Sequence, residues 1–191
     1  MFNQKFLAGL KTSYQEANSE RRQIISASNN ILFEAKKTIF ALQKSDFKKA
    51  ESNLKEMEAD FLALEKKFSP NRLNKEGAFK AAAEEYMEAK TFFLIIKDKK
   101  IEEVKGLNFD YEAYLGGVCD MIGELVRYAT NQAAQGRFAV VAKVKKKAEV
   151  IMEDLADFDM TSYLRTKYDQ ARGHLRKLEQ MAYEIKLRGR K

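Results

Sequence analysis

The sequence predicts an all-α protein, an elongated antiparallel bundle of about six to seven helices, and three observations support that prediction. The 191 residues include one proline and nine glycines, and a third of them are charged, which is typical of long helices with few loops. Apolar residues recur at steps of three and four along most of the chain, the spacing of one helix face. No stretch shows the alternating pattern of a β-strand. We therefore expect a single helical domain over residues 1–191.

The first half of the chain is predicted to form three helices. An apolar face runs through about residues 2–44, and residues 18–19 are a candidate break in it. A second helix is expected over about residues 47–68, and Pro70 should end it. A third helix is expected over about residues 75–99, acidic in its first half and apolar in its second.

The second half of the chain centres on a helix predicted over residues 110–136, followed by helices at about residues 138–156 and 162–187. The central helix is apolar around most of its circumference, so it should lie in the interior of the bundle. Gly136 is suited to the position just beyond its C-cap. Residues with good capping side chains precede three of the helices: Ser45 or Asp46, Asp110, and Thr161 or Ser162.

The chain carries a net charge of +7, most of it in residues 160–191, where nine basic residues face three acidic ones. Such a basic end is consistent with phosphate contact and equally with a solvated helix face. The single cysteine, Cys119, has apolar neighbours and is expected to be buried in a protein of a reducing compartment. The longest apolar run, residues 92–96, is far too short to span a membrane, and the N-terminus lacks a signal peptide's apolar core. We expect a cytoplasmic protein.

Four acidic residues are candidates for a metal site. Glu85 and Glu88 lie three residues apart, and Asp120 and Glu124 lie four apart, so each pair shares a helix face. If the two helices pack antiparallel, as the short turn between them suggests, the four carboxylates converge. Such a cluster requires protonation or a cation, and an oxygen-only donor set suits Mg²⁺ or Mn²⁺. An internal salt bridge to Arg127 or to a lysine explains the acids equally well.

Other kinds of site find less support in the sequence. The only histidine, His174, has no cysteine or second histidine to accompany it, which argues against zinc and against a ferritin-like di-iron centre. We expect His174 at the surface or in an interface. No glycine-rich phosphate loop and no nucleophile elbow is present.

Three stretches of the chain resemble the translin family. The run YEAYLGGVCDMIGELVRYATN is similar to that family's D/E-x-Y-L-x-G-V-x-D-x-x-G-E-L-x-R helix. The stretch LRTKYDQARGHLRKLEQMAYEIKLRG is similar to its closing helix, and RRQIISASNNILFEAKKTIFALQK to its first long helix. One departure is Gln43–Lys44, where many relatives have a histidine followed by a basic residue. We expect that difference to alter nucleic-acid contact slightly and to leave the acids untouched.

The resemblance implies a function as well as a fold. One branch of the family, translin, is mainly a single-strand nucleic-acid binder without the acidic quartet. The other, translin-associated factor X, carries the acids and is the endoribonuclease subunit of their mixed complex. Its acids fall in E-Y-x-E and D-x-x-G-E segments, which read here Glu85-Tyr86-Met87-Glu88 and Asp120-Met121-Ile122-Gly123-Glu124.

The C-terminal stretch of this chain is closer to translin, and the combination is similar to archaeal-type members that assemble with themselves. The resemblance thus implies a seven-helix subunit of a hollow homo-octamer whose acids face the internal cavity.

The hypothesis that follows is Mg²⁺- or Mn²⁺-dependent hydrolysis of short single-stranded RNA. The four acids Glu85, Glu88, Asp120 and Glu124 would be both metal ligands and catalytic residues. Candidate nucleic-acid-binding residues are basic: Arg21, Arg22, Arg127, Arg165, Lys167 and Arg172. Two alternatives stay open, a non-catalytic translin-like binder of single-stranded DNA or RNA, and a helical scaffold whose acids pair with lysines.

Overall fold

The computed structural model describes residues 1–188, which form seven helices and contain no strand. The helices are α1 Gln4–Gln43, α2 Phe47–Lys67, α3 Pro70–Leu73, α4 Gly77–Ile96, α5 Tyr111–Ala134, α6 Phe138–Ala156 and α7 Ser162–Arg188. The predicted all-α class and the number of helices are confirmed. Gly189, which closes the C-terminal family-like stretch, lies outside the described residues. Within residues 1–188, every helix is too short or too polar to cross a lipid bilayer.

The first helix, α1, is one continuous helix of 40 residues, so the candidate break at residues 18–19 is wrong. Arg72 of α3 stabilises the helix around residues 17–20. Its guanidinium donates to the Glu20 carboxylate at 3.0 Å and to the Ala17 carbonyl at 3.4 Å. These contacts outweigh the low helix propensity of Asn and Ser, which costs only about 0.5 kcal/mol per residue. Before this point, residues 1–17 are exposed all the way round the helix.

The caps were largely predictable. Asp46 caps α2 by accepting from the Lys49 N–H, and Asp110 caps α5 by accepting from the Ala113 N–H. Gly136 follows the C-cap of α5 with φ of 75°, a left-handed conformation that glycine adopts without strain. Pro70 has a second role beyond ending α2. It occupies the start of α3, where its missing N–H leaves no hydrogen bond unmade.

The residues that meet between α4 and α5 show that these two helices run parallel. Near the start of both helices, Lys80 Nζ lies 3.0 Å from the Glu112 carboxylate. Towards their ends, the rings of Phe92 and Tyr128 pack with centroids 6.0 Å apart. The antiparallel packing expected for this pair is therefore wrong.

The segment between α4 and α5 explains their parallel arrangement. Residues 97–110 return along the bundle from the end of α4 to its beginning. On the way, the Val104 N–H donates to the Tyr114 hydroxyl at 2.9 Å, and the Asn108 N–H donates to Glu65 at 2.8 Å. The Phe109 ring then packs on Phe61 with centroids 4.8 Å apart. The connection is thus longer than the turn recognised in the sequence, and it reverses the direction of the next helix.

The core lies around α4 and α5. Three of the four largest fully buried side chains lie on α4, namely Tyr86, Phe79 and Phe92. Cys119 on α5 is 1% exposed, as predicted. The two helices come very close at Gly116 and Gly117, where side chains would block the approach. A methyl group added at Gly117 would lie 2.7 Å from the Glu84 carbonyl oxygen, and one at Gly116 would collide with the Glu84 carboxylate.

Replacing Gly117 by alanine should lower the free energy of unfolding by roughly 1–3 kcal/mol, because the added methyl overlaps backbone atoms of α4 that cannot move independently. Urea denaturation followed by circular dichroism measures this. Gly173→Ala on α7 is the control. No heavy atom lies within 4 Å of its added methyl, so it should stabilise the helix by up to about 1 kcal/mol. Equal shifts for the two variants would refute the close approach.

Candidate functional site

An acidic cluster lies where α4, α5 and α7 meet. The acidic cluster consists of Glu84, Glu85 and Glu88 on α4 and Asp120 and Glu124 on α5. Residues 84 and 88 are one turn apart, as are residues 120 and 124, so the parallel helices present their acids side by side. The four predicted acids are therefore brought together, with Glu84 as a fifth member.

Lys167 of α7 is the main cation of the acidic cluster. Its ammonium donates to Glu84 Oε1 at 2.8 Å and also to the Asp120 carboxylate. The Tyr163 hydroxyl donates to the same Glu84 oxygen at 2.7 Å. The Lys167 side chain is only 18% exposed. Burial by itself would lower the pKa of Lys167, but the hydrogen bonds to Asp120 and Glu84 raise it above its ordinary value. Lys167 is thus a fixed positive charge inside the acidic cluster.

Glu88 is the most perturbed acid of the acidic cluster. Burial raises its pKa to about 8, and the negative charges of Glu85, Asp120 and Glu124 act in the same direction. The Lys167 charge opposes them to a lesser extent. Glu88 is therefore largely protonated at neutral pH in the absence of a further cation.

Burial also raises the pKa of Glu85 and of Asp120. At Glu85 the charges of Asp120 and Glu84 add to the effect, while Lys36 on α1 opposes it. At Asp120 the hydrogen bond from Lys167 opposes the effect of burial, but the pKa of Asp120 stays above its ordinary value. The negative charge of the acidic cluster thus exceeds what its own lysine compensates.

Glu124 is held by α1 as well as by its own helix. The Gln43 side-chain amide donates to Glu124 Oε2 at 2.7 Å and to the Glu124 carbonyl oxygen at 3.0 Å. Gln43 in turn accepts from the Asn131 amide at 3.2 Å. The expectation that Gln43 leaves the acids untouched is therefore wrong. Arg127 Nη1 lies 3.6 Å from Glu124 Oε2, so the anticipated internal ion pair also forms.

His174 is partly buried against α5 beside the acidic cluster. Its Nε2 would lie only 3.2 Å from a methyl group at Gly123, the residue that precedes Glu124. Burial lowers the pKa of His174, the Lys177 charge lowers it further, and the charges of Asp120 and Glu124 oppose the shift. The sequence predicted a surface or interface position, and His174 lies half-buried where α7 packs onto α5.

The predicted nucleic-acid-binding residues divide into two groups. Lys167 and Arg127 lie at the acidic cluster, and Lys167 is committed to two of its carboxylates. The others lie away from it. Arg21 is 3.5 Å from Glu76, Arg165 is 2.9 Å from Asp169, and Arg172 is 3.5 Å from the same aspartate. Arg22 is exposed on α1.

Four residues of the site were not identified from the sequence, namely Glu84, Gln43, Tyr163 and His174. Glu84 had a usable signal, because it lies one turn before Glu88 and next to Glu85. The Gly116–Gly117 pair was a second signal, since adjacent glycines in a helix allow a neighbouring helix to come close. Gln43 and Tyr163 carry no comparable local pattern.

The donor chemistry of the acidic cluster fits a hard divalent cation, because every acidic donor is a carboxylate oxygen and the negative charge is in excess. Within residues 1–188, no three His, Cys, Asp or Glu side chains are already arranged to hold a metal ion. Lys167 and Gln43 each contact one carboxylate oxygen, Asp120 Oδ2 and Glu124 Oε2. Cation binding therefore requires the carboxylates to move closer together around their other oxygens.

The fold and the acidic cluster define a class of all-α proteins in which a carboxylate-rich site lies between parallel helices of a bundle. The chain belongs to the translin family, since the model of that family matches residues 19–189. An uncharacterized protein of Methanocaldococcus jannaschii is 34% identical over 105 residues, a match that covers 53% of this chain and 47% of that protein. The chain thus matches about half the length of this relative.

The solved structures that resemble this chain carry the same fold. A crystal structure of AfC3PO has a TM-score of 0.86 at 24% identity, over 95% of this chain and 97% of that one. Apo-NeC3PO has a TM-score of 0.82 at 23% identity, over 96% and 97% of the two chains. AfC3PO has also been solved in complex with duplex RNA, with a TM-score of 0.80 at 24% identity, over 95% and 96%.

Removing the internal cation should destabilise the protein. We expect Lys167→Met to lower the free energy of unfolding by roughly 2–3 kcal/mol, because it leaves two poorly solvated carboxylates facing each other. Arg165→Met is the matched control on the same helix. Its ion pair with Asp169 is about half exposed and screened by solvent, so the loss should be much smaller than at Lys167. Chemical denaturation in EDTA measures the stability of both variants. A negligible loss for Lys167→Met would contradict the assignment of Lys167 as the internal cation of the acidic cluster.

The raised pKa of Glu88 predicts how stability changes with pH. The folded state holds a proton on Glu88 up to about pH 8, whereas the unfolded chain loses it near the ordinary value of 4.5. The folded protein therefore binds more protons in this window, and stability falls as pH rises from about 4.5 to 8. Glu88→Gln should reduce that fall by about 1 kcal/mol or more.

Denaturation curves at a series of pH values in EDTA measure the effect. Glu153→Gln, an exposed residue of α6, is the control and should keep the wild-type slope. If Glu88→Gln keeps it as well, Glu88 is ionised in the folded protein and the account of its environment fails.

Proposed function

We propose that this protein binds single-stranded RNA and hydrolyses its phosphodiester bonds at the acidic cluster with the help of Mg²⁺ or Mn²⁺. The observation that supports the proposal most directly is the convergence of buried carboxylates: burial raises the pKa of Glu88 to about 8, and the neighbouring negative charges add to the shift. A scaffold would gain nothing from such an excess of buried negative charge. A cation-dependent hydrolase requires it.

The residues that would hold the cation are Glu85, Glu88, Asp120 and Glu124, the four acids that the family resemblance also indicates. When bound, the cation would polarise a phosphoryl oxygen and lower the pKa of a coordinated water. Glu84 stays with Lys167 and Tyr163, and keeps α7 in place. Gln43 orients the Glu124 carboxylate from α1.

Two further side chains are placed to assist the reaction. Burial lowers the pKa of His174, which favours the neutral ring that accepts a proton from an attacking water. Arg127 is 46% exposed at the edge of the acidic cluster and is available to contact a phosphate of the substrate. The catalytic assignment of the acids does not depend on either residue.

We further propose that the chain assembles with itself, as an octamer according to the family resemblance. The exposed N-terminal part of α1 supports self-association, because Phe6, Leu10 and Tyr14 recur every four residues there and are 58%, 48% and 69% exposed. A helical stripe of large apolar side chains is a typical interaction surface.

A non-catalytic binder of single-stranded DNA or RNA is the second candidate. The observation that favours it is the ammonium of Lys167, which already neutralises part of the acidic cluster by contacting Glu84 and Asp120. This alternative predicts salt-sensitive binding of single strands without cleavage.

The deciding experiment is cleavage of an end-labelled single-stranded RNA with Mg²⁺ and with EDTA. Glu124→Gln and Asp120→Asn remove one charge each with little change of shape, and each should lower the cleavage rate at least about 100-fold while RNA binding in EDTA persists. Glu153→Gln is the control and should cleave at the wild-type rate. Cleavage that survives EDTA or either substitution would overturn the proposed site. Binding without cleavage by the wild type would favour the second candidate.

A further inference from the structure

One face of α1 beside the acidic cluster combines exposed aromatic and basic side chains. We call it the α1 stripe, and it consists of Arg22, Asn29, Phe33, Lys36, Phe40 and Lys44, all of them exposed. Successive members are three, four or seven residues apart, the spacings that keep side chains on one helix face. Phe33 is 60% exposed and Phe40 is 54% exposed.

The charged members of the α1 stripe are all positive. A further cation lies over each aromatic ring: Lys37 Nζ is 5.2 Å from the Phe33 centroid, and Arg127 Cζ is 4.9 Å from the Phe40 centroid. Lys37 also pairs with Glu34 at 2.7 Å, so its charge is partly compensated. Exposed rings interleaved with cations are the pattern of a surface for single-stranded nucleic acid, where bases stack on the rings and phosphates meet the cations.

The α1 stripe borders the acidic cluster directly. The guanidinium that covers Phe40 belongs to Arg127, which lies 3.6 Å from Glu124. Lys36 is close enough to Glu85 to lower its pKa. Gln43, near the end of the α1 stripe, donates to Glu124. A strand lying along the α1 stripe therefore passes the carboxylates that would carry out the hydrolysis.

We infer that the α1 stripe is the binding surface that leads single-stranded RNA to the acidic cluster, with Phe33 and Phe40 as stacking platforms for unpaired bases. The inference rests on the proposed function and adds the residues that select unpaired strands. Phe33 and Phe40 are separated by two helical turns, or about 10 Å, so they hold two bases that are not immediate neighbours.

The charge of the α1 stripe favours RNA over a second copy of this chain as its occupant. A two-fold interface between two such stripes would bring their Arg and Lys side chains close to one another, which opposes association. Phosphates neutralise the same cations and release counterions on binding. An aromatic ring also accepts any base, because every base has a flat face to stack on.

The test is binding of a fluorescently labelled single-stranded RNA in EDTA, compared with an abasic strand of equal length. Phe33→Ala/Phe40→Ala should weaken binding of the RNA at least about tenfold and leave the abasic strand unaffected, because only bases stack. Phe33→Tyr/Phe40→Tyr keeps both rings and should restore binding. Phe138→Ala/Phe158→Ala, two rings that are similarly exposed at 50% and 58% elsewhere, should bind as the wild type does.

The same variants are examined for oligomeric state by sedimentation. Wild-type affinity of the double alanine variant for RNA would overturn the inference and leave the proposed function intact. Equal losses for RNA and the abasic strand, with a change of oligomeric state, would show that the α1 stripe is an interface between copies and would overturn it too. If the wild-type protein binds no single-stranded RNA at all, the proposed function itself fails.

Discussion

The close approach of α4 and α5 at Gly116 and Gly117 is the constraint on which the rest of the site depends. Without side chains at these two positions, the backbone around Glu84 and Glu88 lies directly against α5. The parallel direction of the helices then places residues 84 and 88 beside residues 116 and 120. Lys167 and His174 lie beside the acids because α7 packs against the same stretch of α5, where Lys167 contacts Asp120 and His174 lies at Gly123. The acidic cluster is therefore a consequence of backbone contact.

The acids that contact α4 or lie on it fall into two electrostatic groups. Glu58 on α2 is a structural acid, because it accepts from both the Tyr86 hydroxyl and the Lys90 ammonium at 2.7 Å. Glu84 is similar, with Lys167 and Tyr163 as its donors. At Glu88, by contrast, burial and the neighbouring carboxylates dominate. The free-energy cost of burying Glu88 is offset by the aromatic core around α4. The bundle therefore tolerates a group whose charged form it disfavours.

Much of the fold was predictable from sequence because its signals are local. Helical periodicity, the caps at Asp46 and Asp110 and the glycine at position 136 all act within a few residues. The direction of α5 was not predictable, since residues 97–110 carry no regular pattern and their path is fixed by distant contacts such as Phe109 on Phe61. The paired acids were found through helix spacing and family resemblance. Gln43 was misjudged because its partner, Glu124, is 81 residues away.

The uneven burial of α1 has a consequence for how this helix opens. Geometrically it is one rod of about 60 Å, but residues 1–17 have no core contacts, whereas Ile24, Ile31 and Leu42 are completely buried. An isolated helical segment of that length is marginal in water. In a protomer outside an assembly, amide hydrogens before Glu20 should therefore exchange with solvent through local fraying, and those after it only through opening of the whole bundle. A single element of secondary structure thus contains two cooperative units, with the Arg72 contacts at their boundary.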